Sequence, residues 1–309
     1  MRRIHIMTIC LITILAAGFA AAACPAAAAE RPRQGAVHLM DSYHRHSAGL
    51  TANTFGIPLV VESSEQDDRV QVDVYGIFDQ PFGSVANALK VPANWCDIVA
   101  LFPNVKACTS REQPDGGLLK LYLGRKVYQS PEDARQIMFD LRNAGRQQDY
   151  LDITLTADEG PYGTKDHRIR VEGLPLDKTR TFVHVSYAYS DSSALRLATK
   201  VYFATFGRDK VGFTVTGTDG NGTPVYIGGP RGAVERNAVR CYFAIQSVLN
   251  TMRYPEEKRF SMRTSQWFDQ TTRYRRQLFD LDRQDYLTYK SAEHRNQAAL
   301  QQRVGTPVR

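Results

Sequence analysis

The sequence predicts an α+β fold: an antiparallel meander of about six to seven strands, followed by one long amphipathic helix. Two observations carry this. Apolar residues alternate with polar ones in short runs from Val70 to Tyr189, the period-two pattern of half-buried strands. After Ser192-Ser193 the apolar spacing changes to three and four, and it is cleanest over 233–252.

Taken in order, the chain opens with Arg2-Arg3, an apolar run through Ile9, Leu11, Ile12, Ile14 and Leu15, and alanine-rich sequence ending at Glu30. A basic start, a short apolar run and a small-residue site at Ala27-Ala28-Ala29 are the parts of a cleavable secretory signal, so residues 1–29 are assigned to it. The strongly apolar part is short of the ~20 residues a spanning helix needs. Lipidation at Cys24 is disfavoured, because Ala21-Ala22-Ala23 lacks a branched apolar residue before it. The expected location is therefore periplasmic or secreted. Cleavage lowers the formal charge from +7 to +5, since only Arg2 and Arg3 are lost. That charge permits peripheral association with an anionic membrane and does not demand it.

Residues 30–64, rich in Arg, His, Ser and Thr, read as a mobile lead-in, with regular structure starting at Arg69. Val70, Val72, Val74, Ile77 and Phe78 make the first strand. Short helices follow over 82–89 and from Pro92, the second carrying Trp95, Ile98, Val99 and Phe102. Strands are then expected through Val105 and Ala107, over 119–123, over 135–143, from Leu151 to Leu155, through Ile169 and Val171, and over 181–189. Ser130-Pro131-Glu132-Asp133 resembles a helix start, but Asn143-Ala144-Gly145 and the alternation beyond it favour a hairpin. In the last strand Val183, Val185, Tyr187 and Tyr189 share one face; Phe182, His184, Ser186 and Ala188 share the other.

A helix is expected over 194–206, then a Gly-rich connector with a turn at Thr218-Asp219-Gly220-Asn221-Gly222. In the long helix Val234, Ala238, Cys241, Tyr242, Ile245, Val248, Leu249 and Met252 form one apolar face. Residues 256–309 read as a helical extension in which Trp267, Tyr274, Leu278 and Leu281 form a docking stripe, frayed from Asn296 onward.

This order of elements resembles the START-like superfamily, also called helix-grip or SRPBCC, over roughly 65–255. The resemblance lies in Val70–Phe78, the helices 82–89 and 95–102, the strands to Tyr189 and the helix 233–252. Trp267-Phe268-Asp269 through Tyr286-Leu287 is similar to tails of exported, uncharacterised members. The helix at 194–206 is an insertion relative to that pattern. The resemblance implies a curved sheet wrapped around the long helix, with a hydrophobic cavity between them that holds lipids or aromatic small molecules. Its expected lining is Trp95, Phe139, Ile153, Tyr187, Tyr189, Tyr242 and Ile245, with Arg240 as an anchor for an acidic headgroup.

Cys96 and Cys108 are spaced to form a disulfide in an oxidising compartment, worth on the order of 3 kcal/mol. Cys241 reads as a buried thiol. His38, His44 and His46 cluster with Asp41 but lack a periodic scaffold for a metal. Asp219 and Asn221 lack the other ligands of a calcium loop, and Gly228–Gly232 lacks the Lys of a phosphate loop. No catalytic motif and no cofactor motif is recognised, and export with mixed charge argues against nucleic-acid partners. The expected function is a non-catalytic exported protein that binds a hydrophobic small molecule or lipid. The alternatives are an enzyme in the same cavity using His184 or Arg240, and an envelope interaction module docking through 258–300.

Overall fold

The computed structural model describes residues 26–305, apart from 145–148, 193–194, 198, 200–201, 203–206 and 208. The basic and apolar parts of the expected signal, Cys24, and most of the helix expected over 194–206 lie outside the described residues.

Eight strands form one antiparallel sheet: β1 (Leu59–Gln66), β2 (Arg69–Phe78), β3 (Val105–Gln113), β4 (Gly116–Leu123), β5 (Arg135–Asn143), β6 (Leu151–Glu159), β7 (Thr164–Pro175) and β8 (Thr181–Asp191). Their spatial order is β1-β2-β8-β7-β6-β5-β4-β3. After β2 the chain crosses to the far edge through α2 (Phe82–Leu89) and α3 (Pro92–Val99), then meanders back until β8 lies beside β2. The disulfide Cys96–Cys108 ties this crossover to edge strand β3, with Cα atoms 5.1 Å apart. The Gly-rich connector adds a small hairpin, β9 (Val215–Thr218) and β10 (Pro224–Tyr226), around the turn at Asp219.

Each face of the sheet carries a helix, although β5 stays exposed on the face away from the long helix at Gln136, Met138 and Arg142. The long helix α4 (Gly229–Thr251) lies on one face, where Val70, Val72 and Val74 of β2 and Val183 and Val185 of β8 meet Val234, Ala238, Ile245 and Val248. At Gly76 the backbone of β2 passes directly beneath the Tyr242 ring; a Cβ there would sit 2.4 Å from it. Only glycine permits that approach. On the other face α1 (Ala26–Thr51) packs Leu39 and Leu50 against Tyr75, Leu174 and Phe182.

The sheet and helix order make this an α+β helix-grip architecture, with one more strand than the expected range. The extra strand is β1, and with α1 it corrects the reading of 30–64: regular structure begins well before Arg69. Ala36, Leu39, Met40, Tyr43 and Leu50 face the sheet at helical spacing, diluted by polar residues between them. Helices of this polarity gain their stability from docking rather than propensity.

The carboxy-terminal segment forms α5 (Glu256–Thr272), α6 (Arg275–Leu278) and α7 (Arg283–Gly305). Trp267 and Leu278 are buried, and Tyr274 and Leu281 pack on the same core, as the stripe predicted. The expected fraying from Asn296 is not what the structure has: α7 runs to Gly305 and lies along β3. There Gln297 Oε1 accepts the Cys108 N–H at 2.9 Å, and Gln301 accepts the Ser110 N–H at 2.8 Å and donates to its carbonyl at 2.9 Å. No helix among the described residues is long and apolar enough to cross a membrane.

Candidate ligand cavity

Inward-facing residues of β3, β4, β5, β7 and β8 meet α3 and α4 around a cavity of about 220 Å³. Five strand spacings separate β8 from β3, about 24 Å if the sheet were flat. One small cavity touching both requires the sheet to curve around α4. Its wall is aliphatic and aromatic, including Leu121, Ile137, Phe139, Ile169, Val185 and Ala238. Among the described residues no Lys, Arg, Asp or Glu lines it. Cys241 contributes a thiol that burial pushes up to about 12, so it remains a neutral apolar surface. Asn237, exposed on α4, reaches the same wall.

The polar end is built by His167 and Tyr187. His167 shares its strand face with Ile169 and Val171, because residues two apart on a strand point the same way. Toward β8 the register shifts between Lys165 and Arg168, so His167 stands within a bulge, beside Asp166 at φ 52°. The His167 ring lies 3.0 Å by Nδ1 from the Tyr187 hydroxyl and 2.9 Å by Nε2 from Thr164 Oγ1. Thr164 in turn donates to the Pro161 carbonyl at 2.8 Å. Gly160 packs against this group; a Cβ there would fall 2.0 Å from His167 Nε2. Burial holds His167 below its ordinary pKa, against the pull of Asp166, and raises that of the Tyr187 phenol. Tyr189 stacks on the His167 ring at 5.6 Å, and Phe139 meets it edge-on at 6.4 Å.

The expected lining residues divide. Phe139 and Tyr187 line the cavity, and Tyr189 adjoins it through His167. Trp95, Ile153 and Ile245 are buried core, with the Trp95 indole donating to the Leu89 carbonyl. Tyr242 lines a separate hollow of about 160 Å³ near Ile77 and donates to the Ile77 carbonyl. Arg240 does not line the cavity. Its guanidinium bonds Asp280 at 2.7 Å on the side of α4 covered by the carboxy-terminal helices. His167 has no distinguishing motif in the sequence, since it stands near the turn at Gly160-Pro161; its parity with Ile169 is the signal that marks its face.

His184 lies on the opposite face of the sheet, beneath α1. It is held between Glu172 (2.9 Å) and Asp73 (2.8 Å), and Tyr75 stacks on its ring. Arg170 joins Asp152 and Glu172, and Tyr150 donates to Glu172. Burial opposes charge on His184, but the two carboxylates outweigh it and raise its pKa to about 9.

No protein-family model and no curated protein matches this sequence. Solved structures with a similar course include a conserved protein of unknown function from Enterococcus faecalis, at 11% identity over 69% of this chain and 91% of that one, TM-score 0.34. Norcoclaurine synthase from Thalictrum flavum, in complex with dopamine and hydroxybenzaldehyde, matches at 10% identity over 48% and 81%, TM-score 0.33. The Zhui aromatase/cyclase of a Streptomyces species matches at 14% over 40% and 70%, TM-score 0.28.

Proposed function

We propose that the protein is an exported carrier or sensor that holds an apolar small molecule in the cavity beneath α4 and does not transform it. The observation that carries this reading is the cavity itself: about 220 Å³ of mostly aliphatic and aromatic wall, without a charged side chain among the described residues. Its size suits a small aromatic compound or a short acyl chain better than a two-chain phospholipid. The Cys96–Cys108 disulfide and the signal-like start support an oxidising compartment outside the cytoplasm. Catalysis by His184 or Arg240 finds no support in their positions, since neither borders this cavity.

Native mass spectrometry of the purified protein, with organic extraction of any bound material, tests the proposal. The expected result is one apolar molecule per chain, or saturable uptake of an apolar probe. Ala238→Leu, which fills the cavity from α4, should weaken that uptake by tenfold or more at an overpacking cost of about 1–3 kcal/mol in stability. A protein that neither carries nor takes up such molecules would sink the reading.

A further inference from the structure

The hydrogen-bond directions at the polar end of the cavity follow from counting protons. Thr164 has one hydroxyl proton, and it goes to the Pro161 carbonyl, which can only accept. Thr164 Oγ1 must therefore accept from His167, which places the ring proton on Nε2. The Nδ1 of a neutral ring then has only a lone pair to offer, so Tyr187 donates its O–H to it. The phenol proton is spent inside the wall. Tyr187 lines the cavity, and with that proton committed its oxygen has only lone pairs left to offer a ligand.

From this relay we infer that the ligand is a neutral apolar molecule carrying a hydroxyl or N–H group, which donates a hydrogen bond to Tyr187 Oη. This rests on the cavity being a ligand site and names the chemistry it selects. A carboxylate meets no Lys or Arg in the described wall, and Arg240, the cation expected as its anchor, is committed to Asp280. At Tyr187 a carbonyl or ether ligand places acceptor against acceptor, leaving Tyr187 unsatisfied or forcing it off His167; the amide donors in the wall, Asn104 and Asn237, can serve such a ligand but cannot relieve that mismatch.

The test is a titration of the purified full chain with a naphthol, its methyl ether and the corresponding naphthoate, followed by intrinsic fluorescence or calorimetry. The naphthol should bind about tenfold tighter than the ether, the naphthoate most weakly. Tyr187→Phe should erase the difference by lowering naphthol affinity, while the ether changes less than about twofold. The wild-type ranking stands even if that variant fails to fold. Equal affinity of naphthol and ether overturns the acceptor role alone, as does a naphthol preference that survives in Tyr187→Phe. Tightest binding of the naphthoate overturns it too. Binding of none of the three overturns both this inference and the cavity reading.

Discussion

Two histidines on neighbouring strands face opposite sides of the sheet, and their surroundings push them in opposite directions. His167 of β7 is buried among aromatic rings and stays neutral; His184 of β8 sits between Asp73 and Glu172 and stays charged, with a pKa near 9. Arg170 and Tyr150 complete the His184 network within the sheet, while Tyr75 links it by stacking to His46 of α1, which itself pairs with Glu62. The folded state thus binds the His184 proton more tightly than the unfolded chain, whose histidine titrates near 6.5. That contribution, about 3 kcal/mol, is complete below the unfolded value and lost as pH rises through about 9. Urea unfolding of wild type and His184→Gln should show the largest gap below pH about 6 and a markedly smaller one above about 10. The neutral His167 works the other way, losing stability as pH falls below 6.5, but it is common to both proteins and cancels. A gap independent of pH would refute the charged state of His184. That His184 faces away from Tyr187 was legible in the sequence, because alternation along 181–189 already separates them; the side taken by His167 was not. That two acids from different strands converge on His184 was not, since register between β2, β8 and β7 is a tertiary fact.

At the scale of elements, the informative contact is between α7 and β3. An edge strand exposes backbone N–H and C=O groups that invite pairing with another chain. Here Gln297 and Gln301, four apart and so on one face of α7, occupy the backbone groups of Cys108 and Ser110. One turn earlier, Glu293 receives both Lys106 of β3 (2.6 Å) and Lys290 (2.5 Å) in a buried triad. The double variant Gln297→Ala/Gln301→Ala should lose about 2–3 kcal/mol, one hydrogen bond's worth for each bond removed, and should self-associate on warming. Denaturant midpoints and light scattering measure the two effects; unchanged values for both would remove the edge-capping role. Apolar periodicity found the stripe through Trp267 and Leu278 because those residues dock by burial. It was silent about the Asn296–Gly305 stretch because docking there is polar, and a glutamine bound to a strand edge looks in sequence like a solvated one. β1 and α1 were missed for a different reason, sparse apolar residues, while β6 was plain from alternation and β5 needed the turn at Asn143-Ala144-Gly145 to decide it against a helix.

For the whole molecule, these contacts bear on where its folding unit ends. The sequence suggests a boundary at 255/256, with a domain before it and an extension after it. Yet α4 is buried along nearly its whole length, from Val234 to Thr251, with the sheet on one side and α5 and α6 on another. Arg240, with 4% of its surface exposed, has Asp280 as its ion-pair partner, and the Trp267 indole donates to the Arg240 carbonyl at 3.1 Å. Asp280 also pairs with Lys126, joining α4, the β4–β5 connection and the segment after α6. A buried guanidinium without its carboxylate is costly, about 3–5 kcal/mol when one partner of such a pair is removed. A chain ending at Pro255 would leave Arg240 unpaired, uncover α4 and strip β3 of its glutamines at once. The expectation is that this truncation fails to fold, whereas Asp280→Asn folds with a stability lowered by several kcal/mol. Calorimetry of the intact protein should then give one cooperative transition, with the calorimetric and van't Hoff enthalpies equal. Two separated transitions, or a stable and soluble 65–255 fragment, would show instead that the carboxy-terminal helices are an accessory to an independent domain.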